Sequence, residues 1–175
     1  MLSDKLAEAL NDQMNFEFLS AHYYLAMAAY CETEDLEGFA HFFWVQAEEE
    51  RFHAEKFYNF INENGARANF QSISEPQNEF ESLAEVFEVA LEHEKKVTKR
   101  IYDLMDLAQE EGEHATVSFL NWFVEEQVEE EDTMDTLLSK VERLEGSQGI
   151  FMLDNELAQR TCDPAAEDEE EYILS

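Results

Sequence analysis

The sequence predicts an all-α protein: a four-helix bundle with one long crossover between the second and third helices, plus a short fifth helix near the C-terminus. Three observations lead there. Apolar residues recur every three or four positions over four long stretches, which is the spacing of one helix face. Only two prolines and five glycines occur in 175 residues, so long unbroken elements are expected. The one internal stretch without that period, from Gly65 to Glu81, falls between the second and third of the four. The length suits one domain with a full core, 1–160, followed by an acidic and mobile tail, 161–175.

The first helix is expected over 3–31. Leu6, Leu10, Gln13, Glu17, Ser20, Ala21, Tyr24 and Ala28 share its inward stripe, with Glu17 seven residues from Leu10 and from Tyr24. Thr33-Glu34-Asp35 breaks it and places acids at the next helix start. The second helix, 36–64, carries Phe43, Gln46, Glu50, His53, Phe57, Phe60 and Ile61 on one face, and Gly65 stops it. Two such helices joined by a few residues lie antiparallel. About seventeen extended residues after Gly65, at roughly 3.3 Å each, reach from one end of such a helix to the other, as a crossover must.

Ser82-Leu83-Ala84-Glu85 fits a capping box for the third helix. Its stripe is Phe87, Ala90, Leu91, Glu94, Ile101, Leu104 and Ala108, and Gly112 ends it. The fourth helix, 114–145, carries Leu120, Phe123, Gln127, Glu130, Met134 and Leu137. Gly146 ends it, and Ser147 is placed to cap a fifth helix, 147–160, with Ile150, Leu153 and Leu157 on one side. That apolar side lies outside a complete bundle, so it needs a partner such as another subunit.

Forty-two acids against eleven basic residues give a formal net charge of -31. Nucleic acid and anionic membranes are poor partners for such a chain, and cations are good ones. Much of the excess is read as solubility or adaptation to salt, and the run Glu167-Asp168-Glu169-Glu170-Glu171 as a solvated end. No apolar run is long enough to cross a bilayer, and the first residues, Met1 to Lys5, do not form a signal peptide. Cys31 and Cys162 form no CxxC motif or disulfide framework, which points to a reducing cytoplasm.

Near mid-length, each of the four apolar stripes carries polar groups: Glu17, Glu50 with His53, Glu94, and Gln127 with Glu130. A single Glu-x-x-His says little, because both residue types are usually exposed. Four polar groups at matching depth are different, because a carboxylate buried without a partner is costly. A metal ion accounts for all of them. Glu-x-x-His on an inward face is an established signature of di-iron carboxylate bundles, and a donor set of carboxylates with one imidazole suits iron, though ligand type alone also admits zinc or manganese. Glu50 and Glu130 are placed to be shared between two ions. His22, His41, His93 and His114 show no partner by spacing and are read as surface or helix-end histidines.

The sequence also resembles the non-haem ferritins of the prokaryotic type over nearly its whole length. The stretches that carry the resemblance are Ala9-Leu10-Asn11-Asp12-Gln13, Gly38-Phe39-Ala40-His41-Phe42 and His114-Ala115-Thr116-Val117-Ser118-Phe119-Leu120. The most specific is Phe123-Val124-Glu125-Glu126-Gln127-Val128-Glu129-Glu130-Glu131. The resemblance implies a ferroxidase centre with Glu17, Glu50 and His53 at one iron, Glu50, Glu94 and Glu130 at the other, and Gln127 close by. It implies a third iron position at Glu49, Glu126 and Glu129 with Glu130, although adjacent acids in so acidic a chain are equally read as solvated. It implies that Tyr24 supplies an electron during oxygen reduction. From the residues alone, Tyr24 is as well explained as a core aromatic whose hydroxyl bonds a ligand.

Gln127-x-x-Glu130 stands where bacterioferritins and rubrerythrin-like proteins have Glu-x-x-His, which argues against those relatives. Arg51 stands where bacterioferritins place their haem-ligating Met, so no haem is expected. The fifth helix argues against the shorter miniferritins. The function implied is iron storage: Fe2+ is oxidised by O2 or H2O2, and ferric mineral is held in a hollow homo-oligomer of 24 subunits whose fourfold axes are lined by the fifth helix. Two other readings fit the same residues. One is a di-iron oxidase or peroxide-reducing protein that stores nothing. The other is an acidic bundle that buffers metal without catalysis.

Overall fold

The computed structural model describes residues 2–144 and 146–161. Five helices occur in order: α1 (Asp4–Thr33), α2 (Glu37–Glu63), α3 (Leu83–Glu111), α4 (His114–Leu144) and α5 (Gly149–Leu157). No strand occurs among the described residues. The acidic tail, Cys162 and Glu145 lie outside them.

Local chemistry sets the helix ends. Ser3 caps α1, its hydroxyl accepting from the Leu6 N–H at 3.0 Å. Asp35 turns the chain into α2 with φ 57°, a left-handed conformation that a short polar side chain tolerates. Ser82 accepts from the Glu85 N–H at 3.1 Å, as a capping box requires, but the Glu85 carboxylate reaches back to the N–H of Glu81. Gly112 closes α3 at φ 68°, where a side chain would be strained.

Short turns pair α1 with α2 and α3 with α4, and residues 64–82 carry the chain between the pairs without regular structure. That crossover is fastened along α1. Asn11 donates to the Arg67 carbonyl and accepts from the Asn69 N–H, and Asn15, one turn later, donates to the Asn69 carbonyl and accepts from the Gln71 N–H. Two asparagines at i, i+4 thus supply partners for a backbone that has no ladder of its own.

The core falls into two apolar clusters. One holds Tyr24, Met27, Phe39, Phe43, Phe87, Met134 and Leu137. The other holds Leu6, Leu10, Phe57, Ile101, Leu120 and Phe123. Each fully buried large apolar side chain contributes about 1.5–3 kcal/mol. On every long helix the ligand-type residues of the inward stripe, Glu17, Glu50 with His53, Glu94, and Gln127 with Glu130, sit between the two clusters, so they form a layer with an apolar cluster at each end.

The fifth helix departs from expectation in three ways. It starts at Gly149, with Ser147 accepting from the Gly149 N–H at 3.2 Å rather than capping the helix, and it ends at Leu157. Arg160 therefore lies beyond it. Its apolar side is also buried in its own chain, since Leu153 and Leu157 join the first cluster. Phe151 and Met152, on the opposite side, are 58% and 76% exposed.

Candidate metal centre

The inward stripes deliver Glu17 from α1, Glu50 and His53 from α2, Glu94 from α3, and Gln127 and Glu130 from α4, and all six side chains are buried. The ligand atoms of Glu17, Glu50 and His53 lie within 4.8 Å of one another, a geometry suited to one metal ion. Three atoms of that trio, Glu17 Oε2, Glu50 Oε2 and His53 Nε2, are buried without a hydrogen-bond partner. Orphaned polar atoms are costly in an interior, and a cation is the partner that would satisfy carboxylate and imidazole together. The donor set fits iron.

Glu94 and Glu130 lie in the same layer, although among the described residues their carboxylate oxygens and those of Glu50 form no second trio within 4.8 Å. Tyr24 donates its hydroxyl hydrogen to Glu94 Oε1, and Gln127 Nε2 donates to Glu94 Oε2 at 3.1 Å. Gln46 Nε2 donates to both oxygens of Glu130 at 2.8 Å. Gln13 Nε2 donates to Glu17 Oε1 at 2.7 Å. Trp122 meets the His53 ring edge-on at 5.3 Å between centroids, and Lys56 lies over that indole.

The electrostatics follow from burial. Desolvation holds Glu50 well above the usual carboxylate range, and the charges of Glu94, Glu17 and Glu130 add to it. Burial pushes Glu17 up to about 7, against hydrogen bonds with Gln13 and Glu50. Burial also raises Glu130, with help from Glu94 and Glu49, and raises Glu94 despite the hydrogen bonds from Tyr24 and Gln127. Burial pushes His53 down to about 3, so its imidazole is neutral and available as a ligand. Four carboxyls this close cannot all ionise in a dry layer, and divalent cations would remove that restraint.

The acids of the expected third position are arranged differently. Among the described residues Glu49, Glu126 and Glu129 form no trio of ligand atoms within 4.8 Å. Arg160 Nη2 donates to Glu49 Oε2 at 2.6 Å. Glu126 is half-buried and Glu129 exposed.

Two histidines read as surface or helix-end groups have definite partners. His93 is 3% exposed, with its Nε2 2.7 Å from Ser20 Oγ and its ring between Phe16 and Tyr23. Burial pushes it down to about 4. His41 Nε2 donates to the Arg160 carbonyl at 2.7 Å. Gln13 and Gln46 are polar residues in apolar stripes, each four residues before a ligand-type Glu, and the structure gives both a part in holding carboxylates that their spacing does not show. No local signal marks Arg160.

The sequence model of the ferritin-like domain matches residues 7–144. The chain is 49% identical over 164 residues to the bacterial non-heme ferritin of Staphylococcus aureus (strain USA300), covering 93% of this chain and 99% of that one. The corresponding protein of Staphylococcus haemolyticus is similar to the same extent. Among solved structures, the open pore ferritin of the archaeon Archaeoglobus fulgidus is 40% identical with a TM-score of 0.90, over 92% of this chain and 100% of that one. A humanized archaeal ferritin is 41% identical with a TM-score of 0.92, over 94% of this chain and 100% of the other. With its four-helix bundle and short fifth helix, the chain belongs to the ferritin family and is similar over almost its whole length to bacterial non-haem members.

Proposed function

We infer that the chain is a subunit of an iron-storage ferritin that oxidises Fe2+ with O2 or H2O2 at the buried layer. Iron is the substrate. With O2, two Fe2+ ions each give up one electron, and the O2 leaves as peroxide that takes two protons from solvent. The observation that carries this reading is the set of orphaned atoms on Glu17, Glu50 and His53, sealed between two apolar clusters beside Glu94 and Glu130.

The residues perform three tasks. They hold two substrate ions close together, so that a two-electron oxidant meets both at once. Their negative charge favours the more highly charged oxidised products. The apolar clusters keep bulk water out, which strengthens every interaction inside. Gln127 is the neutral member beside Glu94, and its amide orients that carboxylate while adding no charge.

Storage needs a closed shell, for which we propose a hollow homo-oligomer of 24 copies. Apolar side chains at the surface offer material for association: Trp44, Tyr58, Phe70, Phe151 and Met152 are between 42% and 76% exposed, and the Tyr58 and Phe70 rings lie side by side. No helix among the described residues is long and apolar enough to cross a membrane.

Stopped-flow absorbance tests the reading. Metal-free protein receives about two Fe2+ per chain without oxygen and is then mixed with oxygen, beside a His53→Ala, Glu130→Ala chain. A fast oxidation that the variant lacks establishes the centre. Equal slow rates would reject it in favour of a metal-buffering bundle. Gel filtration at about half a megadalton, followed by uptake of a large iron excess, tests storage, and a small oligomer that turns over without mineral is a non-storing oxidase.

A further inference from the structure

Two arginines far from each other in sequence reach the buried layer in the same manner. Arg100 on α3 donates through Nε to Gln13 Oε1 at 2.8 Å, and its guanidinium lies 4.3 Å from the centroid of the Phe16 ring. Arg160, beyond α5, donates through Nη1 to Gln46 Oε1 at 2.8 Å, and its guanidinium lies 4.4 Å from the centroid of the Phe42 ring. In both cases a phenylalanine and a glutamine three or four residues apart on one helix make a seat for a guanidinium. In both cases that glutamine passes its amide on to a carboxylate of the layer, Gln13 to Glu17 and Gln46 to Glu130.

The chemistry of the amide gives this arrangement a direction. A glutamine side chain has one acceptor oxygen and one donor nitrogen. Left alone next to a carboxylate, it can turn through half a circle at little cost. An arginine has donors only, so it claims the oxygen and leaves the NH2 group to face the carboxylate. The guanidinium itself is then fixed by its ring. Arg160 is held further, since its Nη2 takes Glu49 and its backbone carbonyl accepts from His41. Phe42, Gln46 and Glu49 lie at i, i+4 and i+7 of α2, so one stripe of that helix reads the whole guanidinium.

We propose that Arg100 and Arg160 are positioning residues, one for each ion of the pair: Arg100 acts through Gln13 on Glu17 at the His53 side, and Arg160 acts through Gln46 on Glu130 at the oxygen-only side. This rests on the reading of the layer as a site for two ions. A bystander arginine at 160 would need only its ion pair with Glu49. Instead one of its two terminal nitrogens is spent on a neutral amide that points at Glu130. Outer partners of this kind set ligand orientation, and their loss costs about 10- to 100-fold in metal affinity.

Co2+ alone is a suitable probe, because its visible bands differ between a site with an imidazole ligand and one with oxygen ligands only. The assembled full-length protein is titrated with Co2+ and followed by absorbance and calorimetry. A His53→Ala chain gives the reference spectrum of the oxygen-only ion. Arg160→Met and Arg100→Met keep an aliphatic side chain against Phe42 and Phe16. Arg160→Met is expected to weaken the oxygen-only ion by about 10- to 100-fold and leave the bands and affinity of the imidazole-bound ion in place, and Arg100→Met to do the reverse. Gln46→Leu should reproduce Arg160→Met, and the double variant should be no worse than either alone. Gln46→Leu also serves if Arg160→Met fails to assemble. Equal weakening of both ions, no weakening, or additive losses in the double variant would overturn the inference. Fewer than two Co2+ per wild-type chain would overturn the paired-site reading itself, and this inference with it.

Discussion

Tyr24 on α1 donates its hydroxyl hydrogen to Glu94 Oε1 on α3, and both side chains are wholly enclosed. Gln127 holds the other oxygen of the same carboxylate from α4. Glu94 is thus fixed from two helices before any ion arrives. Tyr24→Phe keeps the ring against Phe43 and removes one donor. Without metal, this should cost about 1–3 kcal/mol, because a buried acceptor loses its partner. At about 2–4 °C per kcal/mol for a chain of this size, the melting temperature should fall by several degrees. Zn2+ or Co2+ should recover most of the loss by giving Glu94 a cationic partner. An unchanged melting temperature in the metal-free variant would show that the hydroxyl contributes nothing to holding Glu94.

The pKa shifts set a pH dependence for the metal-free protein. Glu17 is raised from 4.5 to about 7, so the folded state binds that proton more tightly than the unfolded chain does. The stabilisation is complete below about pH 4.5 and is lost as pH rises through about 7. Glu50, Glu94 and Glu130 shift in the same direction. His53 and His93 are lowered to about 3 and about 4, so they destabilise the fold progressively as pH falls below 6.5. Between pH 6.5 and about 7.5 the unfolded histidines still lose protons, which opposes the acids, but four raised acids outweigh two histidines, and above that range only the acids still change. The metal-free melting temperature should therefore fall from pH 6.5 to about 8. Saturating divalent ion should flatten that slope, and Glu17→Gln should reduce it. Differential scanning fluorimetry across that range checks both. A flat metal-free profile would mean that water enters the layer and relieves the acids.

The Ser20 hydroxyl is the polar partner of a histidine otherwise surrounded by Phe16, Tyr23 and Tyr24. Ser20→Ala should cost about 1–3 kcal/mol, since His93 Nε2 is then buried without a partner. His93→Phe in the Ser20→Ala background should recover stability, because the same apolar pocket would then hold an apolar ring. A double variant no more stable than Ser20→Ala would show that the imidazole has partners beyond the serine.

What could be read from the sequence was whatever recurs at helical spacing. Glu17, Glu50, His53, Glu94, Gln127 and Glu130 stood out because each interrupts an apolar stripe, and the structure places all six in one buried layer. Ser82 and Gly112 marked helix ends because a cap is local chemistry. His93 was not legible: it is next in sequence to Glu94, but what buries it is a serine and three aromatic rings of another helix, 69 or more residues away. The reach of Arg160 was not legible either. Its partners Phe42, Gln46 and Glu49 share a stripe, but nothing in that stripe says which distant side chain will settle on it. The burial of Leu153 and Leu157 within their own chain was hidden for the same reason. An apolar helix side announces that it needs a partner and not which one.

Gly38 tests whether α5 carries Arg160 into place. Leu36, at the cap position of α2, makes no side-chain cap bond, and Asp154 of α5 supplies one instead, its Oδ1 accepting from the Phe39 N–H at 3.0 Å. This close passage depends on Gly38 having no side chain. A Cβ there would overlap the Asp154 carbonyl, which is backbone and cannot swing aside. Gly38→Ala should therefore push α5 outward. The lost cap costs about 0.5–2 kcal/mol and the overlap about 1–3 kcal/mol. Three residues beyond α5, Arg160 should also be drawn off Gln46, so Co2+ affinity at the oxygen-only position should fall as in Arg160→Met. Asp154→Ala is the control, because it removes the cap without moving the backbone. It should lower the melting temperature and leave Co2+ binding unchanged. If Gly38→Ala lowers the melting temperature and both ions still bind as in wild type, Arg160 keeps its seat on Phe42, Gln46 and Glu49 without help from the helix that precedes it.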